Sequence, residues 1–210
     1  MGDMSKNQQR ALRRGELGTA ALMCARAFRT APHVKHFFPD RHRRDIDAAA
    51  LFRMRIRYGL RFGEVHVSSP KLEGIAVWIP SEHATMTMWK QVRSGGIGLF
   101  RTVGGEAVAR MTRVAEHNDR LRAQHMPGPH SFLAILAVDP EQQHRGHATR
   151  LVCAMLDRLD RTGVACYAET TEETLHPFYG RLGFEPQDGS TVSGTSLTVW
   201  PMVRCPRTEH

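Results

Sequence analysis

One stretch restricts the possible folds more than any other: Phe132 to Leu159, FLAILAVDPEQQHRGHATRLVCAMLDRL. Phe132 to Val138 is an apolar run of strand length, patterned for burial on both faces. Asp139-Pro140 ends it, because proline cannot donate to a sheet ladder. Ala148, Leu151, Val152, Met155, Leu156 and Leu159 then recur at helical spacing and predict one buried face. Arg150, Asp157, Arg158 and Arg161 take the opposite face, and Gly163 is a natural stop. A strand, a polar turn and an amphipathic helix in succession point to an α/β fold.

The turn is the chemically suggestive part. Gln143-His144-Arg145-Gly146-His147-Ala148-Thr149 places small residues at Gly146 and Ala148, where the chain enters the helix. The first-turn N–H groups of a helix have no partner within it, and the helix dipole adds positive potential there. With Arg145 beside them, they form a site suited to a phosphate or pyrophosphate. The same residues also fit an ordinary strand-to-helix turn.

The 210 residues carry 29 Lys and Arg against 21 Asp and Glu, a formal charge of +8. That balance suits a polyanionic ligand. The arginines are dispersed rather than blocked, so a solvated basic surface accounts for them better than nucleic-acid binding. No apolar run approaches the ~20 residues of a membrane span. The N-terminus has no apolar core of a secretory signal. Cys24, Cys153, Cys166 and Cys205 show no C-x-x-C pairing and read as reduced thiols, pointing to the cytoplasm. Twelve histidines form no H-x-x-x-H, H-E-x-x-H or Cys/His cluster, so no metal site is expected.

Along the chain, residues 1–14 read as a flexible N-terminus, with Arg10 to Arg13 as the only candidate first strand. Glu16–Phe28 and Asp45–Phe62 read as helices, the second with Ala48, Leu51, Phe52 and Ile56 inward and Arg53, Arg55, Arg57 and Arg61 in solvent. Residues 64–68 and 73–79 read as a hairpin. Ser81 is placed as a helix N-cap after Pro80. Residues 82–127 read as a helical insert with Met86, Met88 and Trp89, a glycine-rich hinge (Gly95, Gly96, Gly98), and a stripe of Val108, Met111, Ala115 and Leu121. Thr195–Val203 alternates as a closing strand.

Gln143-x-x-Gly146-x-Ala148 after Ala-Val-Asp-Pro resembles the acetyl-CoA signature of the GNAT N-acetyltransferase superfamily. Tyr167-Ala168-Glu169-Thr170, followed by His176-Pro177-Phe178-Tyr179-Gly180-Arg181-Leu182-Gly183-Phe184, is similar to that family's C-terminal half. Residues 38–42 and 75–82 are similar to puromycin N-acetyltransferase and its relatives. The resemblance implies a single GNAT domain over 15–205, with a mixed, mostly antiparallel sheet flanked by helices and the insert at 82–127. It also implies an acetyl-CoA cosubstrate and a direct transfer to a small-molecule amine, without a covalent intermediate. Acetylation of a protein or aminoacyl-tRNA amine, and a non-catalytic acyl-CoA sensor, remain alternatives. A homodimer is compatible with it.

The resemblance further implies roles for residues. The backbone of Leu136, Ala137 and Val138 would pair with the pantetheine arm and supply an oxyanion donor. Gln143, His144, Arg145, Gly146, His147, Ala148 and Thr149 would cradle the diphosphate. Tyr179 would be the general acid for the thiolate, and Glu169 the base, with Glu82 and Glu106 as lesser alternatives. Thr174 and Phe178 would border the cofactor. Leu175 stands where relatives commonly carry a CoA-contacting asparagine, and Thr174 or His176 is placed to compensate. The segment holding His33, His36, Phe37 and Phe38 would border the acceptor pocket.

Overall fold

The computed structural model of the chain describes residues 9–207. Residues 1–8 of the expected flexible N-terminus lie outside the described residues. Residues 9–14 depart from that expectation. Arg10–Ala11 forms β1, antiparallel to a later strand, with Leu12 N–H donating to Val65 C=O at 2.9 Å. Leu12 is buried, and Arg10 makes a two-pronged contact with Glu16 at 2.7 and 2.9 Å. Two rungs and one apolar anchor hold a strand too short to show any alternation.

Three helices follow: α1 (Leu17–Ala27), α2 (Pro32–Phe37) and α3 (Arg44–Phe62). Pro32 breaks α1 and opens α2, its missing N–H costing nothing at a first helical position. The hairpin is β2 (Glu64–Val67) with β3 (Gly74–Pro80), in the register Val65 opposite Val77. The insert is α4 (Ser81–Ala84), α5 (Met88–Arg93) and α6 (Gly96–His125). Ser81 is the first residue of α4 rather than its cap, since Pro80 holds the extended N-cap geometry. α6 is two helical pieces joined at Gly104, whose φ of 78° only glycine adopts readily.

Next come β4 (His130–Val138), α7 (His147–Thr162), β5 (Ala165–Thr170), α8 (His176–Arg181), β6 (Glu185–Pro186), β7 (Ser190–Thr191) and β8 (Thr198–Arg204). The strand order is β1-β2-β3-β4-β5-β8-β6, with β7 on β8. Among the described residues β4 and β5 are the only parallel neighbours, which is why the long crossover α7 lies between them in sequence. The α/β fold is therefore a mixed, mostly antiparallel sheet flanked by helices, as expected.

Each face of the sheet has its own core. Ile75, Val77, Ile79, Ile135 and Ala137 pack under α1, α3 and α6. Ala76, Trp78, Leu133, Cys166 and Ala168 pack against α7 and α8 with Leu151, Val152, Met155 and Leu156. The alternation in β3 is thus a choice between two cores, and its residues Gly74–Ile79 are buried on both sides. Cys24 and Cys166 are buried free thiols, Cys153 is half-buried and Cys205 exposed. No described helix is long and apolar enough to cross a membrane.

Candidate active site

The site begins with a defect in the sheet. Val77 pairs with Ile135 and Trp78 with Leu133, so Ala134 is an extra residue in β4. A bulge of this kind bends its strand and sharpens its twist. The parallel pairing with β5 stops at the same point, the last rung being Leu133 with Ala168. Beyond it β4 runs on through Ala134–Val138 without β5 beside it. The two strands splay, and the open side of β4 carries unpaired backbone groups in the middle of a sheet. Leu136 lines the gap from one side, and Glu169, Thr170 and Tyr179 line it from the other.

At the far end of the gap the chain turns into α7. Gln143 donates from Nε2 to Val138 C=O at 3.3 Å, tying the turn to the strand end. His144 and Gly146 both adopt left-handed backbone, with φ of 61° and 77°. Gly146 is the N-cap of α7, and no side chain caps the first turn. The N–H groups of His147, Ala148 and Thr149 are thus left uncapped by side chains. His147 is buried, while Gln143, His144, Arg145, Gly146 and Thr149 are exposed and Ala148 is half-buried. Arg150 folds back over the turn, donating to Arg145 C=O at 3.2 Å and meeting His147 Nδ1 at 3.1 Å. Two guanidinium groups, Arg145 and Arg150, therefore flank an open helix mouth.

On the other side of β4 lies a chamber of about 470 Å³ under α6. Its walls are largely apolar, with Phe28, Phe37, Phe52, Met86 and Met111 among them. Its rim carries Met88, Ile97 and Phe100, at 78%, 53% and 55% exposure. Glu169 points into this chamber from the end of β5. Asn118 donates from Nδ2 to its Oε2 at 2.6 Å, and Arg122 lies 3.9 Å from Oε1. Oε1 is buried with no hydrogen-bond partner. Burial raises the pKa of Glu169, and Arg122 and Arg55 oppose that rise. Tyr179 is buried between Phe178 and Phe184, both edge-on to its ring. Burial raises its pKa as well. Tyr179 belongs to the core on the α7–α8 face, whereas Glu169 shares the opposite face of β5 with Tyr167. The two side chains therefore reach the gap from opposite faces of the sheet.

Residues 102–186 match the family model of the acetyltransferase (GNAT) domain. That segment is similar to a GNAT acetyltransferase domain. Solved structures agree on the fold. An acetyltransferase of Corynebacterium glutamicum, described as histone acetyltransferase HPA2 and related, superposes with a TM-score of 0.70 at 18% identity, over 97% of this chain and 98% of that one. Drosophila melanogaster polyamine N-acetyltransferase, which forms N-acetylagmatine, gives 0.58 at 14% identity, over 94% and 99%. Arylalkylamine N-acetyltransferase 2 of Aedes aegypti gives 0.60 at 11% identity, over 95% and 99%.

Around the splayed strands the expected residues divide into three groups. Leu136 and Tyr179 line the chamber together with Glu169, while Phe178 packs half-buried beside Tyr179. Gln143 to Thr149 surround the helix mouth. Thr174 is exposed on a one-turn helix at Glu173–Leu175 and is not part of the chamber wall. Leu175, 39% exposed, does line the wall at the position expected for an asparagine. His176 stacks edge-on against Trp200, with Nε2 buried and unpartnered. His33 and Phe37 reach the chamber, and Phe38 packs in the core. Burial and the nearby Arg55 hold His33 down to about 3, so its imidazole is neutral at pH 7. Glu106 is exposed and pairs with Arg110, away from the wall.

Three arginines carry more than their sequence positions promised. Arg150 is exposed with Asp157 and Arg158, as expected, and in addition reaches back over the turn. Arg122 is buried, in an ion pair with Asp119 and 5.1 Å from the Phe132 ring centroid. Arg55 turns into the chamber, whereas Arg53 and Arg61 are solvated as expected. Helical periodicity alone marks Arg122, which falls one position after Leu121 on a stripe otherwise apolar.

Proposed function

We propose that this chain is an acetyl-CoA-dependent N-acetyltransferase that moves the acetyl group directly onto a primary amine of a small, antibiotic- or metabolite-like molecule. The splayed β4–β5 pair carries this reading, because it leaves the end of β4, which runs on to the helix mouth, without a neighbour beside a chamber lined by Leu136, Glu169 and Tyr179. Residues 38–42 and 75–82 resemble the puromycin N-acetyltransferase group, which adds weight to a small acceptor. So does an apolar chamber walled on several sides, which offers no groove for a folded macromolecule.

The residues at the mouth fit a diphosphate. The left-handed Gly146 bares the first turn of α7, and a β-carbon there would approach Arg150 at 3.2 Å. Arg145 and Arg150 add full charges to uncapped N–H groups. The pantetheine arm, an amide-bearing chain, pairs with the open side of β4 at Leu136, Ala137 and Val138, as an added strand would. A backbone N–H of Ala137 or Val138 donates to the carbonyl oxygen as it gains charge.

The amine enters through the apolar chamber. A C–N bond forms between its nitrogen and the acetyl carbon, and the C–S bond breaks. Glu169 accepts the nitrogen's proton, directly or through one water, and its raised pKa makes it a stronger base than a solvated glutamate. Tyr179 donates its phenolic proton to the departing thiolate. Burial away from other charges keeps the phenol protonated until then.

Release of free thiol from acetyl-CoA, measured with a panel of primary amines on wild type and Tyr179→Phe, tests the reading. Amine-dependent release that falls in the variant, with CoA affinity retained, supports it. Equal rates in the two proteins remove Tyr179 from the mechanism. A wild type that ignores CoA in calorimetry overturns the transferase assignment.

A further inference from the structure

The charges facing the chamber do not balance. Arg122 is matched: Asp119 pairs with it, Thr85 Oγ1 accepts from it at 3.2 Å, and the Phe132 ring lies beneath it. Glu169 is matched by Asn118 and, at 3.9 Å, by Arg122. Arg55 is not. Among the described residues no carboxylate lies within 4 Å of its guanidinium, and no side chain or carbonyl accepts from it. Its α3 neighbours Leu51, Phe52, Met54 and Tyr58 are all buried. The nearby His33 is neutral and turns Nδ1 toward Thr171 Oγ1 at 3.0 Å. A guanidinium cannot shed its proton at any working pH, and Arg55, half-buried at the chamber wall, keeps its N–H groups free for a ligand.

We infer that the acceptor is an apolar amine bearing a carboxylate, as in an α-amino acid with a hydrophobic side chain, and that Arg55 receives the carboxylate. This rests on the transferase reading of the chamber. Arg55 and Glu169 line the same chamber, from α3 and from the end of β5, and bring opposite charges to it. An α-amino acid sets its carboxylate and its amine on a single carbon, so one ligand in this chamber can offer an anion to Arg55 and an amine to Glu169. The carboxylate takes the forked N–H groups of Arg55, and the amine is left toward Glu169. The apolar side chain extends along Phe28, Phe52 and Met111. A chamber of about 470 Å³ sits within the usual range for small-ligand sites, about 300–1,000 Å³. Arg55 is in this account a specificity-determining residue that touches substrate.

Two measurements test it. The first compares kcat/KM for phenylalanine, leucine and methionine with that for phenethylamine and isoamylamine, in wild type, Arg55→Gln and Arg55→Lys. The expected preference for the amino acids is at least tenfold, falls by at least tenfold in Arg55→Gln, and is largely regained in Arg55→Lys. A preference for the plain amines, or a ratio indifferent to Arg55→Gln, overturns the inference while leaving the transferase reading intact. The second measurement needs no turnover: calorimetry with N-acetylphenylalanine and N-acetylphenethylamine in the presence of CoA. Tighter binding of the carboxylate-bearing probe, lost in Arg55→Gln, supports the inference. Equal binding of the two probes, or none of N-acetylphenylalanine, overturns it. CoA binding by the wild type in the same experiment reports separately on the transferase reading.

Discussion

The two sides of β4 are built by opposite strategies. The helix mouth is contiguous: Val138 to Arg150 supply the strand end, the turn, the glycine and both arginines, and most of them are exposed. The chamber is dispersed: its polar groups come from α2, α3, α6 and β5, and its walls are mostly apolar. Backbone geometry does the work on the first side, side-chain identity on the second. A backbone cradle suits a ligand that never changes. Side chains on four separate elements suit one that differs from relative to relative. The two regions should accordingly fail in different ways when altered.

Tyr179 stands where they meet, so its loss should be the largest effect and should belong to neither side. Tyr179→Phe is expected to lower kcat by roughly 10²–10⁴-fold, the range for one proton-transfer group, with CoA affinity and amine KM nearly unchanged. A matching loss of CoA affinity in calorimetry would break the division. Glu169→Gln should cost about 10²-fold in kcat/KM and change its pH dependence. Burial raises the Glu169 pKa, and only the ionised carboxylate accepts a proton, so wild-type activity climbs as pH rises through a value above the ordinary glutamate's ~4.3. The variant should lose that limb and keep only the deprotonation of the amine itself. An identical acid limb in both proteins would take the base role away from Glu169.

Gly146→Val should act on the cofactor side alone. A β-branched residue at φ 77° is strained, and its side chain fills the mouth beside Arg150. CoA affinity should weaken on the order of 100-fold, about 2.7 kcal/mol, with the preference among amines preserved. A shifted amine preference would mean that the mouth and the chamber are not separable. The smallest effect is expected on the other side: Met111→Ala removes one flexible wall group and should raise the KM of an apolar amine by roughly tenfold without touching CoA affinity.

The same division governs what could be read from the chain. β4, the Gln143–Ala148 turn, α7, β5 and the Phe178-Tyr179 segment were legible because each is a local pattern: a run, a glycine, a helical period. The hairpin and the α3 stripe were legible for the same reason, Ala48, Leu51, Phe52 and Ile56 being buried as their spacing predicts. What escaped depends on contacts between distant segments. The bulge at Ala134 arises from pairing with β3, and nothing in LAILAV announces it. The candidate strand at Arg10–Arg13 is borne out at Arg10–Ala11, but what holds it, Leu12 meeting Val65 fifty-three residues away, is not visible in the chain. Arg55 sits among arginines at positions 53, 57 and 61, and only the fold separates the one that turns inward. Val108 and Met111 read as a stripe and border open space under α6, a distinction the spacing does not carry, because a stripe facing a chamber and a stripe facing a core look alike. Counting from the motif places Thr174 near the cofactor but does not show the one-turn helix at Glu173–Leu175 on which it stands exposed.

The break at Gly104 bears on how such a protein can change its tastes. The portion of α6 ahead of it holds Ile97 and Phe100, while the portion behind holds Asn118, Arg122 and their grip on Glu169. A rigid rod would couple every alteration at its tip to Glu169, the proposed base, at its foot. A rod with a glycine joint uncouples them, so new residues can be tried at the entrance while the chemistry behind it stays in tune.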